Sequence, residues 1–204
     1  MEENGLNNSV YLAGAMVSEA ELSHKIYGEG FYNFYMEIQR LSESKDMLPI
    51  TVSERILEVT PISVGDKFAI NGQLRSYNKI VNGQNRLVLT IFCKQILKEY
   101  DDKQNPNEIA LEGYICKPTT YRVTPFGREI TDVLIAVNRA YNKSDYIPCI
   151  IWGRNARYAG MFNVGDRVKV SGRIQARDYE KVLESGEKEI RTAYEVSVSR
   201  IEKT

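Results

Sequence analysis

The chain has 204 residues, room for one large domain or two of about 100. Lys and Arg total 27 and so do Asp and Glu, so net charge is zero, but residues 1–105 carry −3 and residues 106–204 carry +3. No apolar run approaches the ~20 residues that cross a bilayer, and the opening MEENGLNNSV is acidic and polar rather than a secretory signal, so no membrane partner and a cytoplasmic location are expected. Cys93, Cys116 and Cys149 are far apart and odd in number, which excludes a disulfide framework. With His24 the one histidine, a clustered Cys/His metal site is excluded as well.

In chain order, Val10–Val17 reads as a strand, and Phe34, Met36 and Ile38 are the inner set of the next. Gly28-Glu29-Gly30 lacks the third glycine of a dinucleotide turn, and His24 is assigned to a loop with no nucleophile pattern around it. Lys67–Tyr77 is a strand, joined by the turn Asn82-Gly83 to Arg86–Ile96; Asn-Gly between alternating runs is a strong hairpin signal. Residues 98–106, KEYDDKQNP, read as a charged linker ending in proline.

Beyond the linker the plan repeats. Ile109–Cys116 is a strand in which Gly113 suggests a bulge or bend. Lys117–Glu129 is expected as a loop and Ile130–Asn138 as a strand with Val133, Ile135 and Val137 on one side. Tyr146–Trp152 is the next strand, Asn155–Phe162 a short helix, and Arg167–Arg177 an alternating strand. A polar loop, Glu180–Glu189, leads to the last strand, Ala193–Ile201.

The repetition is explicit. NSVYLAGAMVSE from Asn8 aligns with NEIALEGYICKP from Asn107, and RLSESKDMLPITVSER from Arg40 with RAYNKSDYIPCIIWGR from Arg139, both ninety-nine positions on. Val64-Gly65-Asp66 recurs as Val164-Gly165-Asp166. Five strands with one short helix between the third and fourth is the order of an OB-fold. The expected class is therefore all-β, a tandem duplication of a five-stranded Greek-key barrel, with units at 1–97 and 107–204 around the linker 98–106.

Asn138–Arg154 gathers Tyr141, Tyr146 and the sole tryptophan, Trp152, among Arg139, Lys143 and Arg154. In a strand, Tyr146, Pro148, Ile150 and Trp152 share one face. Flat rings beside cations suit unpaired bases, with rings stacking and cations meeting phosphates.

The second unit resembles the bacterial single-stranded-DNA-binding protein family. The likeness rests on Asn107-Glu108-Ile109 with Gly113, Ala136-Val137-Asn138-Arg139, Ile150-Ile151-Trp152-Gly153, Gly165-Asp166-Arg167-Val168, Gly172-Arg173-Ile174, Arg177-Asp178-Tyr179 and Tyr194-Glu195-Val196. In the first unit it rests on the internal repeat. The resemblance implies base stacking on Tyr141, Tyr146, Trp152 and Tyr179, with phosphate contacts from Arg139, Lys143, Arg154, Arg173 and Arg177. The repeat places Ser42, Met47, Ser53 and Lys79 at the four ring positions of the first unit, so that unit is expected to be degenerate for stacking; Tyr35 and Tyr77 are its compensating candidates. It also implies no cofactor and a homodimer presenting four OB units. Family members end in a flexible tail with an acidic tip, whereas this chain ends SVSRIEKT, which suggests a plasmid, phage or integrated-element protein without that recruiting tip.

The expected function is sequence-independent binding and protection of single-stranded DNA. The alternative is an adaptor OB protein that joins replication or conjugation partners and touches DNA weakly. An enzyme has no motif to support it: no P-loop is present.

Overall fold

The computed structural model describes residues 7–81, 83–182 and 186–204. Asn82 of the expected Asn82-Gly83 turn and most of the N-terminal MEENGLNNSV lie outside the described residues. The elements are β1 (Asn8–Met16), β2 (Glu21–Ile26), β3 (Glu29–Gln39), β4 (Lys45–Ser53), α1 (Glu54–Val59), β5 (Lys67–Val81) and β6 (Gln84–Leu97), followed by β7 (Asn107–Ile115), β8 (Thr120–Val123), β9 (Glu129–Arg139), β10 (Lys143–Trp152), α2 (Arg154–Ala159), β11 (Arg167–Val182) and β12 (Lys188–Lys203).

Each half closes a five-stranded barrel. In the first, β3, β4, β6, β5 and β1 are neighbours in that order, and β1 returns to β3 through Ala15↔Glu37 and Met16↔Met36. In the second, β7 returns to β9 through Tyr114↔Ala136. The one parallel contact in each barrel is β4 with β6 and β10 with β12. Alternation drives this arrangement: β7 reads buried–exposed along its length, and Ile109, Leu111 and Ile115 enter the core. The first core is anchored by Phe34 and Phe68, edge to face at 6.3 Å between ring centres.

Four local expectations change. The loop that was to hold His24 contains β2, and Lys117–Glu129 contains β8; each is an extra edge strand on β3 or β9. Their residues are nearly all exposed, so no buried face marks them in the sequence. The loop at Glu180–Glu189 is shorter than expected, because β11 continues to Val182 and pairs there with Lys188. Gly113 is not a bulge. A side chain there would strike the Ala136 carbonyl, so glycine permits the close approach that shuts the barrel. Register shifts fall instead at Leu22/His24, Asn71/Gly72 and Ser171/Gly172.

The barrels share one twelve-stranded sheet through an antiparallel seam, β1 on β7, from Asn8↔Leu111 to Leu12↔Asn107. Repeat-equivalent asparagines tie each seam strand to the next strand of its own barrel. Asn8 Nδ2 donates to the Leu74 carbonyl (2.7 Å) while its Oδ1 accepts from Leu74 N (2.9 Å). Asn107 makes the same pair with Ile174, at 2.7 and 2.8 Å.

Two buried aspartates then clamp each barrel to the other. Asp46 of the first accepts the Ala176 N–H of the second (2.9 Å), and Asp145 of the second accepts the Ser76 N–H of the first (2.8 Å). A buried carboxylate is tolerated only when paired and hydrogen-bonded. Arg40 meets Asp46 at 2.6 Å; Arg75 and Arg139 meet Asp145 at 3.2 and 3.4 Å.

Candidate functional site

Strand β10 presents the central face. Asp145, Ile147, Cys149 and Ile151 are buried, while Tyr146 and Trp152 are 44% and 38% exposed on the opposite parity. Pro148 lies half-buried between them; Ile150, expected on the open face, is covered. The Trp152 indole N–H donates to Ser197 Oγ (3.2 Å), which orients the ring while leaving it accessible. Six residues of strand separate the two rings by about 20 Å. The face is an elongated track rather than a pocket.

At one end of the track, the β9–β10 turn carries Arg139, Tyr141 and Lys143. Tyr141 is 94% exposed, and both it and Asn142 adopt positive φ, 61° and 53°. Holding a non-glycine residue there costs about 1 kcal/mol, and an exposed ring recovers none of it by packing. The turn does not cover its own barrel. Arg139, Tyr141 and Lys143 line a groove of about 590 Å³ over the outer face of the first barrel, together with Arg75 and Tyr77.

Among the described residues, Lys143 and Arg154 make no ion pair, whereas the other three expected cations are engaged. Arg139 lies against Asp145. Arg173 stands 3.7 Å from Asp46, and burial beside Arg40 pulls its guanidinium below the ordinary value. Arg177 meets Glu195 at 3.3 Å and sits 5.9 Å over the Tyr179 ring, a cation–π arrangement. Arg139 and Arg173 are thus tied to the clamp, and Arg177 props Tyr179.

Tyr179 belongs to a long two-stranded arm formed by β11 and β12, where it pairs with Arg191. A second groove of about 590 Å³ runs between this arm and β6, lined by Arg86, Pro148, Tyr179, Lys181, Arg191 and Tyr194 among others. Arg86, Lys181 and Arg191 were not among the expected residues. Arg86 falls within an expected strand, but the in–out alternation of β11 stops at Arg177, with Arg177–Glu180 all exposed, so nothing in the residue pattern marked the arm that carries Lys181 and pairs with Arg191. Arg191 is held by Glu189 at 2.6 Å, which keeps that carboxyl below the usual range. Among the described residues, no three His, Cys, Asp or Glu side chains gather to hold a metal.

The chain is similar to known proteins. The model of the family described as "Single-strand binding protein family" matches residues 106–204. Single-stranded DNA-binding protein B of Bacillus subtilis is 35% identical over 81 residues, 36% of this chain and 72% of that protein. Single-stranded DNA-binding protein 2 of Listeria innocua is 35% identical over 81 residues, of which the chain covers 51%. The crystal structure of the single-stranded DNA binding protein from Thermus aquaticus superposes with a TM-score of 0.77 over 97% of this chain and 92% of that one, at 17% identity, a likeness of fold.

Proposed function

The chain belongs to the single-strand binding protein family, and from that premise we propose that it holds single-stranded DNA without reading its sequence. The observation that carries this reading is the pair of exposed rings, Tyr146 and Trp152, on one track with the uncommitted cations Lys143 and Arg154. Each base stacked on a ring contributes roughly 1–3 kcal/mol whatever its identity. Phosphates neutralised by the cations add affinity that falls as salt rises. Duplex DNA keeps its base faces covered, so the stacking interaction selects single strands.

In this reading the unit at 107–204 bears the main surface, on Tyr141, Tyr146, Trp152 and Tyr179, with Lys143 and Arg154 on phosphates and Arg139, Arg173 and Arg177 shaping the field behind them. Residues 1–97 form the partner unit and 98–106 the linker. Binding of this kind serves strand protection in replication, recombination or repair. Two chains would present four barrels, so light scattering is expected to return twice the 23.3 kDa chain mass.

The test is a fluorescence titration of Trp152 with oligo(dT) at two salt concentrations. Quenching is expected, with weaker binding at higher salt. An unchanged spectrum together with no gel shift at low salt removes the reading. Trp152→Ala and Tyr146→Ala are expected to weaken binding far more than Met47→Ala or Ser53→Ala, whose positions carry no ring.

A further inference from the structure

Resting on that reading, we infer that the first barrel also takes bases, on a platform unrelated to the ring positions the repeat would supply. Ser42, Met47, Ser53 and Lys79 carry no rings, yet the outer face of β2, β3 and β6 does. His24 stacks on Phe31 with ring centres 5.1 Å apart and planes within 10°, and Phe31 meets Phe92 at 5.9 Å. The Arg75 guanidinium lies 6.0 Å from the centre of Phe92. Arg75 in turn touches Asp145, whose other cation is Arg139, at the base of the Tyr141 turn. A continuous row of flat groups therefore runs from the edge of the first barrel to the end of the track on the second.

Charge selects the occupant. His24, Phe92, Arg75, Arg139, Tyr141 and Lys143 all line the one groove, and among the described residues no carboxylate does. The single acid behind it, Asp145, is shared by two guanidiniums, so the wall keeps a net positive charge in a chain that is neutral overall. A concave surface with apolar rings, three cations and no acid fits a polyanion with flat apolar faces, which is single-stranded DNA. Backbone strain agrees. The β2–β3 turn begins with Tyr27, fully exposed at φ 49° and next in the chain to the groove-lining Ile26, as the groove-lining Tyr141 is held out at φ 61°. An aromatic cluster that merely filled a core would be buried. His24 is exposed, and Phe31 and Phe92 are half-buried.

The test compares oligo(dT) of about 8 nucleotides, within the site of one OB-fold, with one of about 30, long enough for two. His24→Ala alters an exposed side chain, and Phe92→Leu keeps apolar bulk while removing the flat ring. Both variants are expected to bind the long strand about five- to tenfold more weakly, the loss of roughly one stacked base. The Trp152 quenching that the short strand produces should survive in both. In the wild-type protein, an oligo(dT) carrying 5-iodouracil is expected to photocross-link to peptides containing His24, Phe31 or Phe92 as well as to the Tyr146 peptide. Wild-type affinity in both variants, with cross-links confined to residues 107–204, overturns this inference and leaves DNA binding by the second barrel intact. Absence of any binding by the wild-type protein overturns both.

Discussion

Asp145→Asn tests the join between the two barrels and the field over the track at once. The carboxylate is 1% exposed and has three partners: the Ser76 N–H at 2.8 Å, Arg75 at 3.2 Å and Arg139 at 3.4 Å. Asparagine retains an acceptor for Ser76 and loses the charge that both guanidiniums face. Removing one partner of a fully buried pair costs about 3–5 kcal/mol. Here the arginine side chains keep 22% and 30% exposure and can rehydrate, so about 2–3 kcal/mol is expected. For a chain of this size that lowers Tm by roughly 5–10 °C. The DNA readout moves the other way. Two guanidiniums released toward phosphates add up to about 1.4 to the magnitude of the salt slope, at about 0.7 per phosphate on single strands. Calorimetry and oligo(dT) titrations across a salt series measure the two effects. A Tm within 1 °C of wild type together with an unchanged slope would refute the clamp. Asp46→Asn, which removes the charge that Arg40 and Arg173 face in the repeat-equivalent place, should cost similar stability.

Gly113→Ala should destabilise by about 3 kcal/mol or more in urea denaturation, since the new methyl meets the Ala136 carbonyl at barrel closure; Gly127→Ala, in open space at positive φ, should cost only about 1 kcal/mol. Burial pushes the Cys93 thiol up to about 12 and raises Cys149 further, so at pH 8 a thiol reagent should leave both unmodified until urea is added; rapid reaction of either in the native protein would contradict their burial. Hydrogen bonding from Lys203 and the Asn163 N–H holds Asp166 below the usual carboxylate range, and Arg157 and Tyr121 do the same for Glu129. A depressed carboxylate pKa stabilises the fold above the unfolded value, near 4, and that stabilisation disappears as pH falls through the folded value. Tm should therefore drop below about pH 4, less steeply in Asp166→Asn.

The duplication, the alternating strands and the open face of β10 were legible in the chain itself. A repeat offset is a matter of counting, and a strand's in–out period is set by the nearest neighbours of each residue. That is why Tyr146 and Trp152 could be placed on one open face before any coordinates, although Ile150, of the same parity, is covered. The same local rule failed where burial supplies no contrast, at β2, at β8 and along the exposed arm of β11, which hid Lys181 and Arg191. What only the tertiary structure decided is which distant groups meet. Asp145 finds Ser76, Asp46 finds Ala176, and Tyr141 leans over the face that holds Phe92. Each of these contacts joins segments roughly 50 to 130 residues apart, brought together by the β1–β7 seam. Their geometry follows from barrel closure and from the antiparallel pairing of two nearly equivalent strands, which no window along the chain contains.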